Sequence, residues 1–448
     1  MAGSNVSSPV ESAIAFYWEK DGETLCSTED HSIHNIPQVD LGESPEQIPD
    51  GGLQAWMVVL GGFCCMFCSF GWINCVGIFQ DYYQKIAFPS ASPSEIAWIS
   101  STEIFMVFAC GPVFGGIIDS HGPRLVLAFG PAIQLFGLLM MSMAKKYYQV
   151  LLAQGICSSI GTSAIYYSGV TCVSSGFEKN RALALGVMSS GSSLGGIIYP
   201  TVISGLITRI GFGWTVRSII FLMFILLIVA NMTVASHSKP MRSPVRLAQF
   251  IAPFREHPFG LVCLGSFLFC SAMFLPFNFI SVQAEAFGIS AADAGYLHLI
   301  FTLTAYSLFG RILQGYIADR IGRFNVVIIA TAASGILVFT LWLLSTNAVH
   351  LFVFAGLYGL FASAFTSLAP ALIGQISIMS QNGTRIGIQS AVISLAVLLG
   401  NPIGGQLIEL YHKSFAGLQV FTGAAMLMSS CVFLLAKCKL GQGILSRD

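Results

Sequence analysis

Two charged side chains interrupt long apolar runs of this sequence, Glu103 and Arg311. A charge at mid-bilayer costs at least about 2.5 kcal/mol, so it persists mainly where it has work or a partner. Arg311 is a permanent cation suited to a substrate or coupling role. The competing reading is an Arg that snorkels to the nearer face, since Asp319 lies only about 12 Å further along the same helix. Glu103 falls roughly 10 Å inside the opposite surface by helical rise. It can carry a proton, or it can simply be hydrogen-bonded to a neighbouring helix. Other polar residues at comparable depth are Asn278, Tyr166, Tyr167, Gln389 and His298, the last more often a satisfied packing residue than a proton relay.

A second set of charges occurs twice. Gly115 to Arg124 reads GGIIDSHGPR, and Gly315 to Phe324 reads GYIADRIGRF, with Asp119 and Asp319 at matching places. Each copy closes an apolar run, gives an Asp and then a Gly, and opens another apolar run. That is a short charged turn between two membrane helices. Its recurrence half a chain later divides the protein into two similar halves, an organisation common in secondary transporters.

The elements that must position these residues are membrane spans. The 448 residues are 54% hydrophobic and 9% charged, with mean hydropathy +0.75, whereas soluble domains average about 25% charged. With about 20 apolar residues needed per span, twelve segments are predicted. They are 55–79, 96–118, 124–143, 147–172, 182–207 and 214–235, then 259–283, 293–318, 324–344, 349–376, 385–409 and 415–436. The domain reading is an acidic, disordered tail over 1–50, a first six-helix half over 51–236, a basic linker over 237–258, a second half over 259–438 and a short tail over 439–448. The linker is expected to hold a surface helix from Val245 to Phe254.

Twelve spans put both termini on one side. Placing them in the cytoplasm puts fourteen of the 21 Lys and Arg there, against six outside and Arg311 in the membrane. Of the 12 Cys, most lie in apolar runs, and the Cys65 and Cys68 pair has no second pair or His cluster to complete a metal site. No phosphate-binding loop and no nucleophile with a base is visible, which argues against an ATP-driven pump, a membrane enzyme or a cofactor. Nothing points to nucleic acid.

The repeated turns resemble the loop motif of the major facilitator superfamily between helices two and three and between eight and nine. The first copy departs from it at Ser120 and Pro123, where basic residues are usual. Two further stretches are similar to the paired signatures of the monocarboxylate porter family, and in form to its fungal branch. They are Asp50 to Trp56 with GIFQDYY (Gly77 to Tyr83), and FEKNRALALGVMSSGSSLGG (Phe177 to Gly196); GNPIGG (Gly400 to Gly405) adds to them. The resemblance implies an all-α fold of twelve transmembrane helices in two six-helix pseudo-symmetric halves, with a midplane cavity.

It also implies roles. Arg311 stands where the family holds an Arg for the substrate carboxylate, whereas Asn74 and Ser307 replace a Lys and an acid of the proton-coupled members. Those two neutral residues favour a larger, less charged cargo. Asp119 is expected to face the start of helix eleven at Gly383 to Arg385, and Asp319 the start of helix five at Arg181. With Arg124, Arg320 and Arg323 close by, these groups would latch one side shut. Gly186, Ser190, Gly191 and Gly195, and likewise Gly400 and Gly404, are read as surfaces of close, sliding contact between halves. The function expected is secondary active export of a secondary metabolite or organic acid at the cell membrane, by a monomer, with proton coupling left open between the two readings of Glu103. The alternatives are an uptake permease for a monocarboxylate or riboflavin-like nutrient, and a nutrient-sensing receptor.

Overall fold

A backbone inside hydrocarbon must satisfy its own N–H and C=O groups, and a helix does so within one segment. In the computed structural model, residues 51–234, 248–286, 308–345, 347–410 and 414–441 are described, and every element among them is helical. In chain order these are α1 (Leu53–Ala87), α2 (Ser94–His121), α3 (Pro123–Met143), α4 (147–175), α5 (181–210), α6 (212–233), α7 (His257–Ala286), α8 (Leu308–Ile321), α9 (Arg323–Trp342), α10 (Ala348–Gln375), α11 (Asn382–Leu410) and α12 (Ala416–Lys439). Ser307, His298, the acidic tail and most of the linker lie outside the described residues. Of the expected linker helix, the turns Ala248–Ile251 and Ala252–Arg255 are described.

Among the described residues, nine helices are long and apolar enough to cross a membrane. One of these is the 53-residue run Arg181–Thr233. At about 1.5 Å per residue it would span more than twice the thickness of a bilayer core. It bends back at Gly211, whose φ of 77° and ψ of 165° are open to glycine alone, and so supplies both α5 and α6. The sequence ended the first span at residue 79, yet α1 continues to Ala87. The added turns carry an exposed Asp81–Lys85 ion pair of 2.6 Å.

The packing is pseudo-symmetric. Within the first half α1 lies along α5, and α3 against α4 and α6; within the second, α7 lies along α11 and α12, and α9 against α10 and α12. Between halves, α2 meets α11 and α5 meets α8. These crossings depend on glycine. A Cβ on Gly115 would strike the Gly383 backbone, and one on Gly315 would strike that of Ala182. The glycines expected to slide between halves do something else, Gly186 excepted, which faces the Arg311 backbone. Gly191 and Gly195 fit α1 at Phe63 and Gly71, while Gly400 and Gly404 fit α7 at Ser271 and Leu275. They lock each half internally, because spacing on a helix shows that a neighbour comes close but not which neighbour.

Both repeated turns hinge on a glycine with positive φ, Gly122 at 85° and Gly322 at 101°. For Gly122, with ψ 166°, a side chain costs about 1–3 kcal/mol. Gly122→Ala is therefore expected to lower the unfolding midpoint in detergent, and an unchanged midpoint would contradict the turn geometry.

Candidate functional site

α1 is discontinuous at two places, around Ser69 and around Asn74. Ser69 leaves helical geometry at φ −91° and ψ −83°, a single turn Phe70–Ile73 follows, and the chain breaks again at Asn74 and Cys75. The second break lets Asn74 Nδ2 reach α5 and donate to the Ser192 carbonyl at 3.2 Å. Arg311 arrives at the same serine from α8. Its Nη1 donates to the Ser192 hydroxyl at 2.6 Å and to the Ser189 carbonyl at 2.8 Å. The guanidinium, 5% exposed, thus turns across to the opposite half rather than along its own helix toward Asp319. Ser192 joins α1, α5 and α8 at one point.

An aromatic wall adjoins this junction. The Tyr166 ring sits edge-on to Phe70 at 4.9 Å and to Tyr167 at 4.8 Å, and Phe70 meets Phe108 at 5.6 Å. Tyr166 is within reach of the Arg311 charge. The other depth-matched candidates lie elsewhere. Gln389 donates to Ser266 at 2.9 Å and ties α11 to α7 inside the second half, and Asn278 is exposed on α7.

Glu103 occupies a separate, buried site within the first half, 1% exposed. Gln154 Nε2 donates to its carboxylate at 2.8 Å, and Gln154 Oε1 accepts from the Tyr83 hydroxyl at 2.8 Å. Both partners come from π-helical turns, Tyr83–Ala87 in α1 and Leu151–Ser158 in α4. Such bulges carry an extra residue and re-aim the side chains around them.

The two Asp residues seat on helix starts of the opposite half. Asp119 accepts from the N–H of Gly383 at 3.0 Å and of Thr384 at 2.6 Å, and from the Thr384 hydroxyl at 2.7 Å. Asp319 accepts from the N–H of Ala182 at 3.1 Å and of Leu183 at 2.7 Å. A carboxylate here satisfies N–H groups that no helical carbonyl reaches and complements the helix dipole. The copies differ in their cations. Arg323 pairs with Asp319 at 3.1 Å and also reaches the Glu178 carbonyl at 2.6 Å; in the first copy Pro123 holds that position.

The remaining cations expected at the latch make these contacts. Arg124 is exposed at the start of α3. Arg320 lies over Tyr316 of its own helix at 4.3 Å. Arg385 pairs with Glu256 of the linker turn at 2.5 Å, and Arg181 donates to the Phe177 carbonyl at 2.9 Å. Asn382 donating to Ser174 at 3.1 Å adds a further link between halves at this end.

Comparison with known proteins matches residues 58–282 and 262–440 to the Major Facilitator Superfamily. The chain belongs to that superfamily. An Ophiocordyceps MFS-type transporter is 45% identical over 397 residues, covering 89% of this chain and 88% of the relative. A fujikurins efflux protein of Gibberella fujikuroi is 40% identical, covering 86% and 83%, and an agnestins efflux protein of Paecilomyces divaricatus is 36% identical, covering 88% and 89%. Among solved structures, the fold is similar to an outward-facing bacterial homologue of the iron transporter ferroportin, with TM-score 0.69 and 16% identity over 86% of this chain and 99% of that one. It is also similar to the FucP transporter in its outward conformation, with TM-score 0.68 and 12% identity over 86% and 98%.

This major facilitator protein is thus a secondary active transporter of a small organic molecule, of a fungal type, and not an enzyme. Sequence reasoning missed Ser192, Ser189 and Gln154. It also missed a buried polar set in the second half, where Trp342 Nε1 donates to Gln283 at 2.6 Å and Gln419 donates to the Trp342 carbonyl at 3.1 Å. The signal available was the glutamine itself, uncommon in an apolar run.

The two turns are expected to differ in strength. Each hydrogen bond to a charged group is worth about 1.5–3 kcal/mol. Asp319→Asn also removes the ion pair with Arg323, so it should raise the reactivity of a Cys placed at Ser174 roughly ten-fold or more, and Asp119→Asn less. Equal increases would contradict the difference between the turns, and unchanged reactivity would show that these carboxylates do not hold the halves together.

Proposed function

We propose that this transporter exports a weakly acidic organic metabolite from the cytoplasm, by alternating access of its two halves about the Arg311–Ser192–Asn74 junction. The observation that carries the reading is the seating of Arg311: a buried guanidinium from one half held by Ser189 and Ser192 of the other, beside the Phe70, Phe108 and Tyr166 wall. A cargo offering an anionic or acceptor group can take over those hydrogen bonds, while its apolar part meets the rings. The release of Arg311 from α5 then frees α8 to move. Efflux is favoured over uptake by the names of the fujikurins and agnestins relatives.

The reading includes twelve spans in two six-helix halves, 51–236 and 259–438, with the repeated turns at the cytoplasmic face as the positive-inside count has it. The seated Asp residues then close the cytoplasmic side, and the described state faces outward. It also includes membership of the monocarboxylate porters, supported by the stretches around Trp56 and from Phe177 to Gly196, with Asn74 and Ser307 in place of that family's charged pair.

The test is export from cells expressing the chain, with metabolites inside and outside followed by mass spectrometry. Arg311→Gln is expected to lower efflux about ten- to a hundred-fold, since charge-assisted bonds to the cargo are lost. Arg311→Lys should retain a part, keeping the charge but not the fork. Net accumulation inside the cell would favour the uptake reading. Undiminished efflux in Arg311→Gln would remove Arg311 from the site.

A further inference from the structure

Glu103 is a buried carboxyl with no basic group within ion-pair distance among the described residues. Every group facing it is neutral or weakly acidic: Gln154 from α4, and Trp72, Cys75 and Tyr83 from α1. The charged residues of α3 and α11, Arg124, Arg385 and Glu409, all sit at helix ends. The Gln154 amide donates to the carboxyl, and the buried Trp72 indole lies near it with its N–H making no hydrogen bond among the described residues. That arrangement suits the ionised form, which only accepts.

We propose that Glu103 is the proton-binding group of this transporter and that Gln154 is the switch that reports its state, an inference that rests on the transport reading above. A proton from water forms an O–H on the carboxylate, which then needs an acceptor. Gln154 meets the need by turning end for end. Its Oε1 accepts from the new O–H, and its Nε2 faces the Tyr83 hydroxyl, which changes from donor to acceptor. Gln154 and Tyr83 both sit in π turns, where the regular hydrogen-bond ladder is interrupted and adjustment is less costly. The rings of Tyr82 and Phe212, stacked at 4.4 Å, close the network on one side.

The same event reaches the cargo site. Trp72 loses its charged neighbour, and it lies two residues before Asn74 in the broken stretch of α1. Asn74 holds Ser192, and Ser192 holds Arg311. Proton and cargo therefore act on one discontinuous segment from opposite ends, with the carboxyl in one half and the guanidinium supplied by the other.

The experiment is infrared difference spectroscopy of the purified full-length chain in lipid, titrated with acid and without any cargo. A carboxylic acid C=O band should appear on acidification in the wild type and be missing in Glu103→Gln. In Gln154→Leu the band should persist at a displaced frequency, and in Tyr83→Phe it should be displaced less. Glu103→Asp, which keeps the acid and shortens its reach, should move the band, and this covers the case in which Glu103→Gln does not fold. A band unaltered by either Glu103 substitution, or unmoved in Gln154→Leu, overturns the proposal. No cargo enters the measurement, so its failure leaves the export reading standing, and failure of export leaves the proton site standing.

Discussion

The structure depends on two carboxylates that each take the N–H groups of a helix start in the opposite half. A helix N-terminus has N–H donors with no carbonyl to meet them, and a partial positive charge. Placing an Asp there satisfies the donors and the acid together, at the rim of the membrane where the cost of the charge is least. Because Asp119 serves α11 and Asp319 serves α5, the halves are joined at this end by a reciprocal exchange of polar bonds, beside the apolar contacts they also share. Bonds of this kind can be broken and remade.

The exchange is not equal. Asp319 keeps a cation, and Arg323 also reaches a carbonyl of the other half. Asp119 has a hydroxyl from Thr384 in the corresponding role, since a proline occupies the turn. The glycines of α2 and α8 bring backbones together just inside these turns, so the carboxylates close an interface that is already tight. Separating the halves at that end would break both sets of bonds, and among the described residues only the Asp319 set includes an ion pair.

Much of this was legible in the sequence, for identifiable reasons. Hydropathy marked the spans because the bilayer imposes a length, and the repeated turn marked the halves because its Asp and Gly have separate physical jobs. Arg311 and Glu103 stood out because charge in an apolar run is costly. Other features could not be read. Gly191 and Gly400 were placed between halves when they lie within them, because a small-residue stripe names no partner. Ser192 passed as one more small residue of α5, though it receives Asn74 from a position 118 residues away and Arg311 from one 119 residues away. Gln154 and Gln283 carry no charge to draw attention, and their partners are brought to them by π turns whose occurrence no local pattern announces.

The separation of the two membrane charges is itself informative. Had Arg311 and Glu103 met, a buried ion pair would have tied the halves together, and breaking it would leave two uncompensated charges in hydrocarbon. Instead Glu103 meets an amide and Arg311 meets a hydroxyl and a carbonyl. Neither set of partners carries a charge. Each charge can then change its surroundings without stranding the other, and among the described residues the broken stretch of α1 from Trp72 to Asn74 is one structural link between them. Under the proposed coupling of a proton to a cargo, the separated charges and the discontinuous helix between them let one segment answer to both.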